Sequence, residues 1–254
     1  MPWNATYLNL WFKFVEALAN RYGVNPALSL IAITGPNSHN GEVNLPGGNK
    51  RELEQWKDLV YKNWRSIPCG EAIAEYILKE KLLAAYEVTI ECLGQAFARK
   101  HDKFLSLQIF NESLPVERDE NREPSAIQLE YHCDLIKLAL DKLGKYFVLM
   151  NGGLEAWPIT DAVSKLYPPP AQPTHWVRGQ LLSDLGYITG LLQKDGVGDK
   201  DAEKAGVSKV EVFRLIIKNG VRFGANFLVI FEDDVHNESF RDLLAAGRIL
   251  LSGK

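Results

Sequence analysis

The sequence predicts an α/β fold in which parallel strands are flanked by helices. Short apolar runs of strand composition alternate along the chain with amphipathic stretches long enough to cross between parallel strands. The first run, residues 28–33, is apolar at every position except Ser29, as in a strand buried on both faces. No GxGxxG or GxxxxGK[ST] loop is present, which disfavours the nucleotide-binding versions of this class and predicts no cofactor. We therefore expect a barrel, or part of one, as a single domain over residues 1–254.

Apolar spacing and turn residues predict the elements in order. A helix is predicted over residues 6–22, ended by Gly23, and a turn at Asn25–Pro26 leads to the first strand. The other predicted helices cover residues 50–64, 71–100, 127–143, 207–219 and 239–251, and the second of these is long enough for a kink. The other predicted strands cover residues 104–110, 146–150 and 226–231, with a shorter candidate at 186–189.

Composition and charge disfavour several classes of protein. The 29 basic residues are interspersed with 32 acidic ones, and the net charge of −3 gives no electrostatic reason to expect nucleic acid. The 3 cysteines lack metal-ligand spacing, which predicts reduced thiols and no metal site. No run approaches the roughly 20 apolar residues of a membrane span, so no membrane is expected as a partner. The chain starts without signal-peptide features, which predicts a cytoplasmic protein, or a secreted one if the native start lies upstream.

Polar side chains follow each of the four strongest predicted strands. They are residues 37–42, Asn111 and Glu112, Asn151, and residues 232–234. The carboxyl ends of parallel strands meet at one edge of a sheet, where loops converge on a ligand. Two facing carboxyl groups there would cleave a glycosidic bond, with retention at about 5 to 5.5 Å separation and inversion at about 6.5 to 9.5 Å. Asparagine and tryptophan side chains suit sugar hydroxyls and pyranose faces.

The same polar residues also have an ordinary structural interpretation. Loops are rich in Asn, Asp and Gly whatever the function, and Asp233 and Asp234 would then cap the following turn or helix. Glu112 would be a solvated loop residue. His39 lies in the polar segment after the first strand and is predicted to face a ligand. The other histidines show no spacing typical of a metal site or a Ser–His–Asp triad.

A family resemblance rests on four segments of the sequence. They read WFKFVEALANRYGVNPALSLIAITGPNSHNGE, FLSLQIFNESLP, YFVLMNGGLEAW and GVRFGANFLVIFEDDVHNESFRDLLAAGRILL. In this order they resemble glycoside hydrolase-like (β/α)8 (TIM) barrels of the broad β-galactosidase and cellulase type. The Asn111–Glu112 pair resembles the Asn–Glu signature around the acid/base of such barrels. Because only four or five strands are predicted, the resemblance implies a barrel that lacks its first strands.

The resemblance implies a role for each polar strand end. It implies Glu42 as the general acid/base and Glu232 as the nucleophile or its remnant, with Glu112 competing for the acid/base role. Val229 and Ile230 stand where related barrels often place a glutamate within the last strand. The candidate substrate-binding residues are Asn37, His39, Asn111, Asn151, Trp157 and Asp233.

Two other functions stay open. A degenerate barrel without a working carboxylate pair would be a carbohydrate-binding or assembly subunit. Its exposed apolar strand edges would need a covering partner, so a homo-oligomer is one expectation. The segment 222–224 (RFG), His236 and the C-terminal AAGRILLSGK resemble the catalytic domain of tRNA-splicing endonucleases, although Ile230 stands where that family has its catalytic tyrosine. The sequence therefore predicts first a glycosidase, and otherwise one of these two alternatives.

Overall fold

The computed structural model describes residues 1–36, 42–43, 45, 50–109, 114–116, 125–154, 188–193, 197, 206–222, 227–230 and 232–252. The chain divides into two compact units, residues 1–147 (unit 1) and 148–254 (unit 2). Both units combine helices with parallel strands, which confirms the α/β prediction. The described ranges contain six strands, fewer than the eight of a complete barrel. The single domain over residues 1–254 stays a prediction.

The helices of unit 1 lie close to their predicted positions. They are α1 (Ala5–Tyr22), α2 (Lys50–Val60), α3 (Gly70–Leu93) and α4 (Ala126–Leu143). Asn4 caps α1, because its side chain accepts a hydrogen bond from the Tyr7 N–H at 3.0 Å. Helix α2 is shorter than predicted, and a 3-10 turn at Trp64–Ser66 follows it. A π-helical segment, Gly94–Arg99, continues α3, so the two together form the long helix predicted over residues 71–100.

Unit 1 contains three short strands: β1 (Leu30–Ala32), β2 (Glu42–Val43) and β3 (Phe104–Ile109). Both β1 and β2 pair with β3 in parallel. Ala32 of β1 lies opposite Ser106, and Glu42 of β2 lies opposite Gln108. The two partners are only two positions apart on β3, although residues 33–41 separate β1 from β2 in the sequence. The segment between them is therefore an insertion at the carboxyl end of β1.

Helix α3 forms the centre of the unit 1 core. It packs against α1, α2 and α4 and is buried on more than one side. Its fully or almost fully buried apolar residues are Ala74, Leu78, Leu82, Ala85, Tyr86, Ile90 and Leu93. A helix that is apolar on several sides is typical of a core position rather than of a surface, so the neighbouring elements are built around α3.

Two buried lysines join α3 to its neighbours. The Lys57 side chain of α2 is 1% exposed and the Lys79 side chain of α3 is 2% exposed. Each contacts two carboxylates spaced four residues apart on one helix: Glu71 and Glu75 for Lys57, and Glu130 and Asp134 for Lys79. Burial lowers the pKa of both lysines, but the hydrogen bonds and charges of the carboxylates outweigh it and raise each pKa above its usual value. Both ammonium groups are therefore charged and paired at neutral pH.

Unit 2 contains parallel-paired strands and a hydrophobic core of its own. Strand β5 (Ile188–Gln193) pairs in parallel with β4 (Phe147–Leu154) and with β6 (Phe227–Val229). The helices are α5 (Lys209–Arg222), α6 (Glu232–Val235) and α7 (Arg241–Ser252). Phe213 of α5 stacks on Phe240 at 4.4 Å between ring centroids, and this pair anchors the core.

No helix in the described part of the chain has the length and apolar content needed to cross a membrane.

His132 of α4 is a buried titratable group of unit 1. The residue is 1% exposed, and its ring lies 6.1 Å from that of Tyr131. Burial lowers the His132 pKa to about 3, well below the usual value of 6.5. The ring is therefore neutral in the folded protein throughout the mildly acidic range, whereas in the unfolded chain it takes up a proton below about pH 6.5.

Mild acid should destabilise the fold through His132. A lowered folded-state pKa means that the unfolded state binds more protons between about pH 6.5 and pH 3, so the free energy of unfolding falls as the pH decreases through this window. At pH 4.5 this one group should cost roughly 2 to 3 kcal/mol. Urea unfolding at pH 7 and pH 4.5 should therefore show a smaller acid loss for His132→Leu than for the wild type. The exposed His236 provides the control, since His236→Asn should lose as much as the wild type; equal losses in all three proteins would contradict the prediction.

Candidate functional site

The part of the candidate site that the structure describes is the carboxyl end of β1. The Ile33 N–H still donates to the Ser106 carbonyl at 2.8 Å, so pairing with β3 continues one residue past the strand. Beyond it, Trp11 Nε1 donates to the Thr34 carbonyl at 3.0 Å, and the Tyr7 hydroxyl donates to the Gly35 carbonyl at 2.6 Å. The two aromatic side chains lie one turn apart on α1. Helix α1 therefore fixes the point at which the chain leaves the sheet.

Gly35 is required at this point by its conformation and by its neighbours. Its φ of +140° lies in a region that side-chain-bearing residues rarely adopt. A Cβ on Gly35 would lie 2.7 Å from Trp11 Nε1 and 3.4 Å from the Thr89 methyl group. Thr89 is itself held, because its hydroxyl donates to the Ala85 carbonyl at 2.8 Å. The exit from β1 is thus closely packed between α1 and α3.

Three tyrosine phenols lie near one another in the same unit. Burial raises the pKa of Tyr86 well above its usual value, and the Tyr131 and Tyr7 phenols raise it further. Burial also raises the pKa of Tyr131. The hydroxyls of Tyr86 and Tyr131 are enclosed and find no hydrogen-bond partner in the described part of the chain. These phenols remain un-ionised at neutral pH, so they offer hydrogen bonds and no negative charge.

Strand β3 carries apolar and polar side chains at alternate positions. Leu105 and Leu107 are completely buried, whereas Ser106 and Gln108 occupy the intervening positions. The Ser106 hydroxyl donates to the Ile31 carbonyl of β1 at 3.5 Å. Gln108 Nε2 is enclosed and has no hydrogen-bond partner among the described residues. The sequence interpretation missed Gln108, although a glutamine inside the apolar run FLSLQIF was a signal that could have identified it.

The predicted residues of unit 1 fall partly within the described chain. Glu42 was expected at the end of a polar loop, but its backbone forms β2 and lies opposite Gln108. This strand forms because it pairs with β3, which is distant in the sequence, and the local sequence pattern does not predict a strand of two residues. The predicted residues that lie outside the described ranges are Glu112, Asn37, His39, Asn111 and Trp157.

Asn151 was expected to follow a strand, and its backbone instead lies within β4, opposite Leu191 of β5. Pairing with β5 continues to Leu154, with an irregular register between Asn151 and Leu154. The glycines at positions 152 and 153 suited a turn, but they also suit a bulge inside a strand. The strand therefore ends later than the sequence pattern indicated.

The acidic segment 232–234 forms the helical turn α6 in unit 2. The Glu232 side chain is 88% exposed and lies 3.8 Å from His236 Nε2. Asp233 is also exposed. Asp234 is buried, and its carboxylate accepts a hydrogen bond from the Val197 N–H at 3.0 Å. Asp233 and Asp234 were expected to cap a following turn or helix, and they instead lie inside the helical turn α6. The Asp234 carboxylate stabilises the backbone at Val197.

A groove of about 540 Å³ lies elsewhere in unit 1, between α1, α3 and the π-helical segment. Lys100 lines it and donates to the Asn20 side chain at 2.8 Å. Burial, assisted by the charge of Glu16, raises the pKa of the Cys92 thiol in this groove to about 11. The thiol is therefore protonated at neutral pH and is a poor nucleophile. Among the predicted site residues that the structure describes, none lines this groove.

The chain matches no protein-family model, and no curated protein matches it in sequence. Within the described ranges, no three His, Cys, Asp or Glu side chains are grouped closely enough to hold a metal ion. The geometry defines an α/β protein. Two aromatic side chains fix the end of β1, and the neighbouring strand β3 carries a buried amide.

Replacing Gly35 by alanine should destabilise unit 1 by roughly 3 to 5 kcal/mol, the sum of a strained backbone and an overpacked contact with Trp11. Urea unfolding at pH 7 measures this loss. Gly144→Ala is the matched control, because Gly144 also has a positive φ of +53° but a Cβ there would meet no atom within 4 Å. It should show only the backbone cost of about 1 to 3 kcal/mol. Equal losses in the two variants would exclude the steric contribution from Trp11.

Proposed function

We propose that the protein is a glycoside hydrolase-like enzyme that acts on a carbohydrate at the carboxyl ends of its parallel strands. The register of unit 1 carries this proposal. Glu42 lies opposite Gln108 on the neighbouring strand, and Glu112 follows Ile109, the last residue of β3, by three positions in the sequence. Gln108 is the last residue but one of β3, so Glu42 lies beside the carboxyl end of that strand, and Glu112 follows the same end in the sequence. Barrels of this class carry out their chemistry at the carboxyl ends of their strands.

The reacting pair that we propose is Glu42 and Glu112. One carboxyl group would protonate the glycosidic oxygen, and the other would attack the anomeric carbon or activate water. Glu232 is a weaker candidate because its side chain is 88% exposed on α6. A nucleophile has to be held in a fixed position against its substrate, and a side chain that lies almost wholly in water is not held in this way. We therefore assign Glu232 as a remnant of the nucleophile.

The proposal extends to the fold and to the sugar contacts. All strand pairs described within the two units are parallel, and described helices long enough for crossovers lie between β2 and β3, between β3 and β4, and between β5 and β6, which supports a (β/α)8 barrel that lacks its first strands. The residues proposed to contact the sugar are Asn37, His39, Asn111, Asn151, Trp157 and Asp233. An asparagine side chain can donate to and accept from vicinal hydroxyls, and an indole ring can cover a pyranose face.

Loss of either proposed carboxylate should abolish turnover. We expect Glu42→Gln and Glu112→Gln each to lower kcat on 4-nitrophenyl β-D-galactopyranoside or 4-nitrophenyl β-D-glucopyranoside by about 100-fold or more, because a positioned acid/base contributes about that factor. Glu232→Gln should stay within about twofold of the wild type. Nitrophenolate release measures all three, and an unchanged thermal midpoint excludes unfolding as the cause of a loss.

The alternative functions predict different outcomes for turnover, sugar binding and RNA cleavage. A comparable loss in Glu232→Gln would contradict the assigned pair. Sugar binding by the wild type without turnover would favour the carbohydrate-binding subunit. Cleavage of a structured RNA would favour the nuclease. If the wild type neither binds nor hydrolyses these sugars, the proposed function is wrong.

A further inference from the structure

We propose that the groove between α1, α3 and the π-helical segment of unit 1 is a second ligand site, which binds a free α-amino acid with an aliphatic side chain. The Glu16 carboxylate binds the ammonium group of this ligand, and Lys100 together with Asn20 binds its carboxylate. The site is independent of the proposed glycosidase, because it shares no residue with the proposed reacting pair.

The groove has the size of a small-molecule site and lies entirely within the described chain. Its volume of about 540 Å³ falls within the range of roughly 300 to 1,000 Å³ that is typical of ligand pockets. Its lining residues belong to α1, to the end of α3, to the π-helical segment and to the residue that follows it. Segments of π-helix are rare and are frequently found at functional sites. The local irregularity of the long helix therefore coincides with the groove.

One end of the groove carries a positive charge and several hydrogen-bond donors. Lys100 Nζ donates to the Asn20 side-chain oxygen at 2.8 Å, and both residues are exposed. The amide oxygen engages one of the three donors of the ammonium group and carries no charge to neutralise it. The Asn20 amide nitrogen offers two further donors. This end of the groove therefore suits a carboxylate, which accepts hydrogen bonds from both side chains.

The opposite charge lies one helical turn away. Glu16 and Asn20 are four residues apart on α1, which places their Cβ atoms about 6 Å apart on one face. The charge of Glu16 contributes to the raised pKa of Cys92, so the carboxylate and the thiol are close enough to interact. The site therefore offers an anion and a cation along one wall of the same groove.

The spacing of the two charges favours an amino acid over a peptide. One carbon atom separates the ammonium and carboxylate groups of an α-amino acid, so the ligand with a hydrogen bond of about 2.8 Å at each end spans roughly 8 Å. The side chains of Glu16 and Lys100 extend beyond their Cβ atoms and can reach both ends of a ligand of this length. The charges of a dipeptide lie about 3.5 Å further apart.

The buried surface of the groove is apolar and is formed by small side chains. Ala19 is 2% exposed and Ala96 is 9% exposed. The thiol of Cys92 lies beside them in its protonated, uncharged form. An aliphatic side chain of the ligand removes this apolar surface from water, which favours leucine over glycine.

A ligand-observed NMR titration of the full chain with L-leucine tests the site. We expect a Kd of about 1 mM or tighter, as for a ligand of this size in an open groove. N-acetyl-L-leucine lacks the ammonium group and L-leucinamide lacks the carboxylate, so each should bind about tenfold more weakly or worse. Glycine should also bind more weakly than L-leucine.

Two variants assign the ends of the ligand. Glu16→Gln should weaken the binding of L-leucine about tenfold and remove the preference for L-leucine over N-acetyl-L-leucine. Lys100→Met should weaken it similarly and remove the preference over L-leucinamide. Both replaced side chains are exposed, so the fold should tolerate the changes. Glu80→Gln and Lys137→Met are matched controls at exposed positions that do not line the groove, and each should keep the wild-type Kd within twofold.

Alkylation of Cys92 locates the bound ligand. L-leucine should slow the reaction of Cys92 with iodoacetamide at pH 9, measured by mass spectrometry of the Cys92 peptide, because the ligand covers the groove that the thiol lines. The exposed Cys69 is the control, and its reaction should not change.

Each contrary result overturns the site. The absence of L-leucine binding up to about 10 mM would do so directly. Equal binding of L-leucine and its two charge-deleted analogues would exclude recognition of a zwitterion. Binding that leaves Cys92 alkylation unchanged, or that the control variants weaken as much as Glu16→Gln does, would exclude the groove as its location. None of these results bears on the glycosidase proposal, which the nitrophenyl glycoside assay tests separately.

Discussion

The burial of two ammonium groups constrains how the helices of unit 1 pack. A charge taken out of water requires counter-charges at hydrogen-bond distance. Removing one partner from a buried ion pair costs more free energy than forming the pair gains. Lys57 and Lys79 each find two carboxylates spaced four residues apart on one neighbouring helix. Only a narrow range of rotation about each helix axis brings both carboxylates to one lysine. The ion pairs therefore set the orientation of α2 against α3 and of α4 against α3.

The oriented α3 in turn positions the end of β1. Thr89 and the phenol of Tyr86 belong to α3, whereas Tyr7 and Trp11 belong to α1, and Gly35 lies among the side chains of Thr89 and Trp11. A functional site needs supporting residues whose own positions are fixed by packing and hydrogen bonds. The Thr34 and Gly35 carbonyl groups, which accept hydrogen bonds from α1, are fixed in this way on one side of the candidate site. The strand β3 provides a fixed position on the other side.

Much of the element order could be predicted because local signals determine it. Helices α1 and α4 lie within one residue of their predicted bounds, where Asn4 caps the first and Gly144 ends the second. Strand β2 could not be predicted, since only its pairing with β3 makes two residues into a strand. Lys57 and Lys79 are charged residues of a kind that usually lies at the surface, and their burial follows from carboxylates on other helices. The enclosure of the Gln108 amide likewise depends on its three-dimensional surroundings, although its residue type was visible in the sequence.

The π-helical segment Gly94–Arg99 gives the long helix one residue more than regular winding would hold. A π-helical hydrogen bond spans five residues where an α-helical one spans four, so a π turn holds more residues than an α-helical turn. In this setting Arg99 reaches back to the Glu91 carboxylate at 2.8 Å and across to the Lys142 carbonyl at 3.0 Å, while His101 packs on Gly23. Deleting one residue and restoring regular winding would leave the direction of the following side chains almost unchanged, because a π-helical residue rotates the chain by less than an α-helical one. The π-helical segment thus absorbs one extra residue without altering the phase of the long helix or its approach to β3.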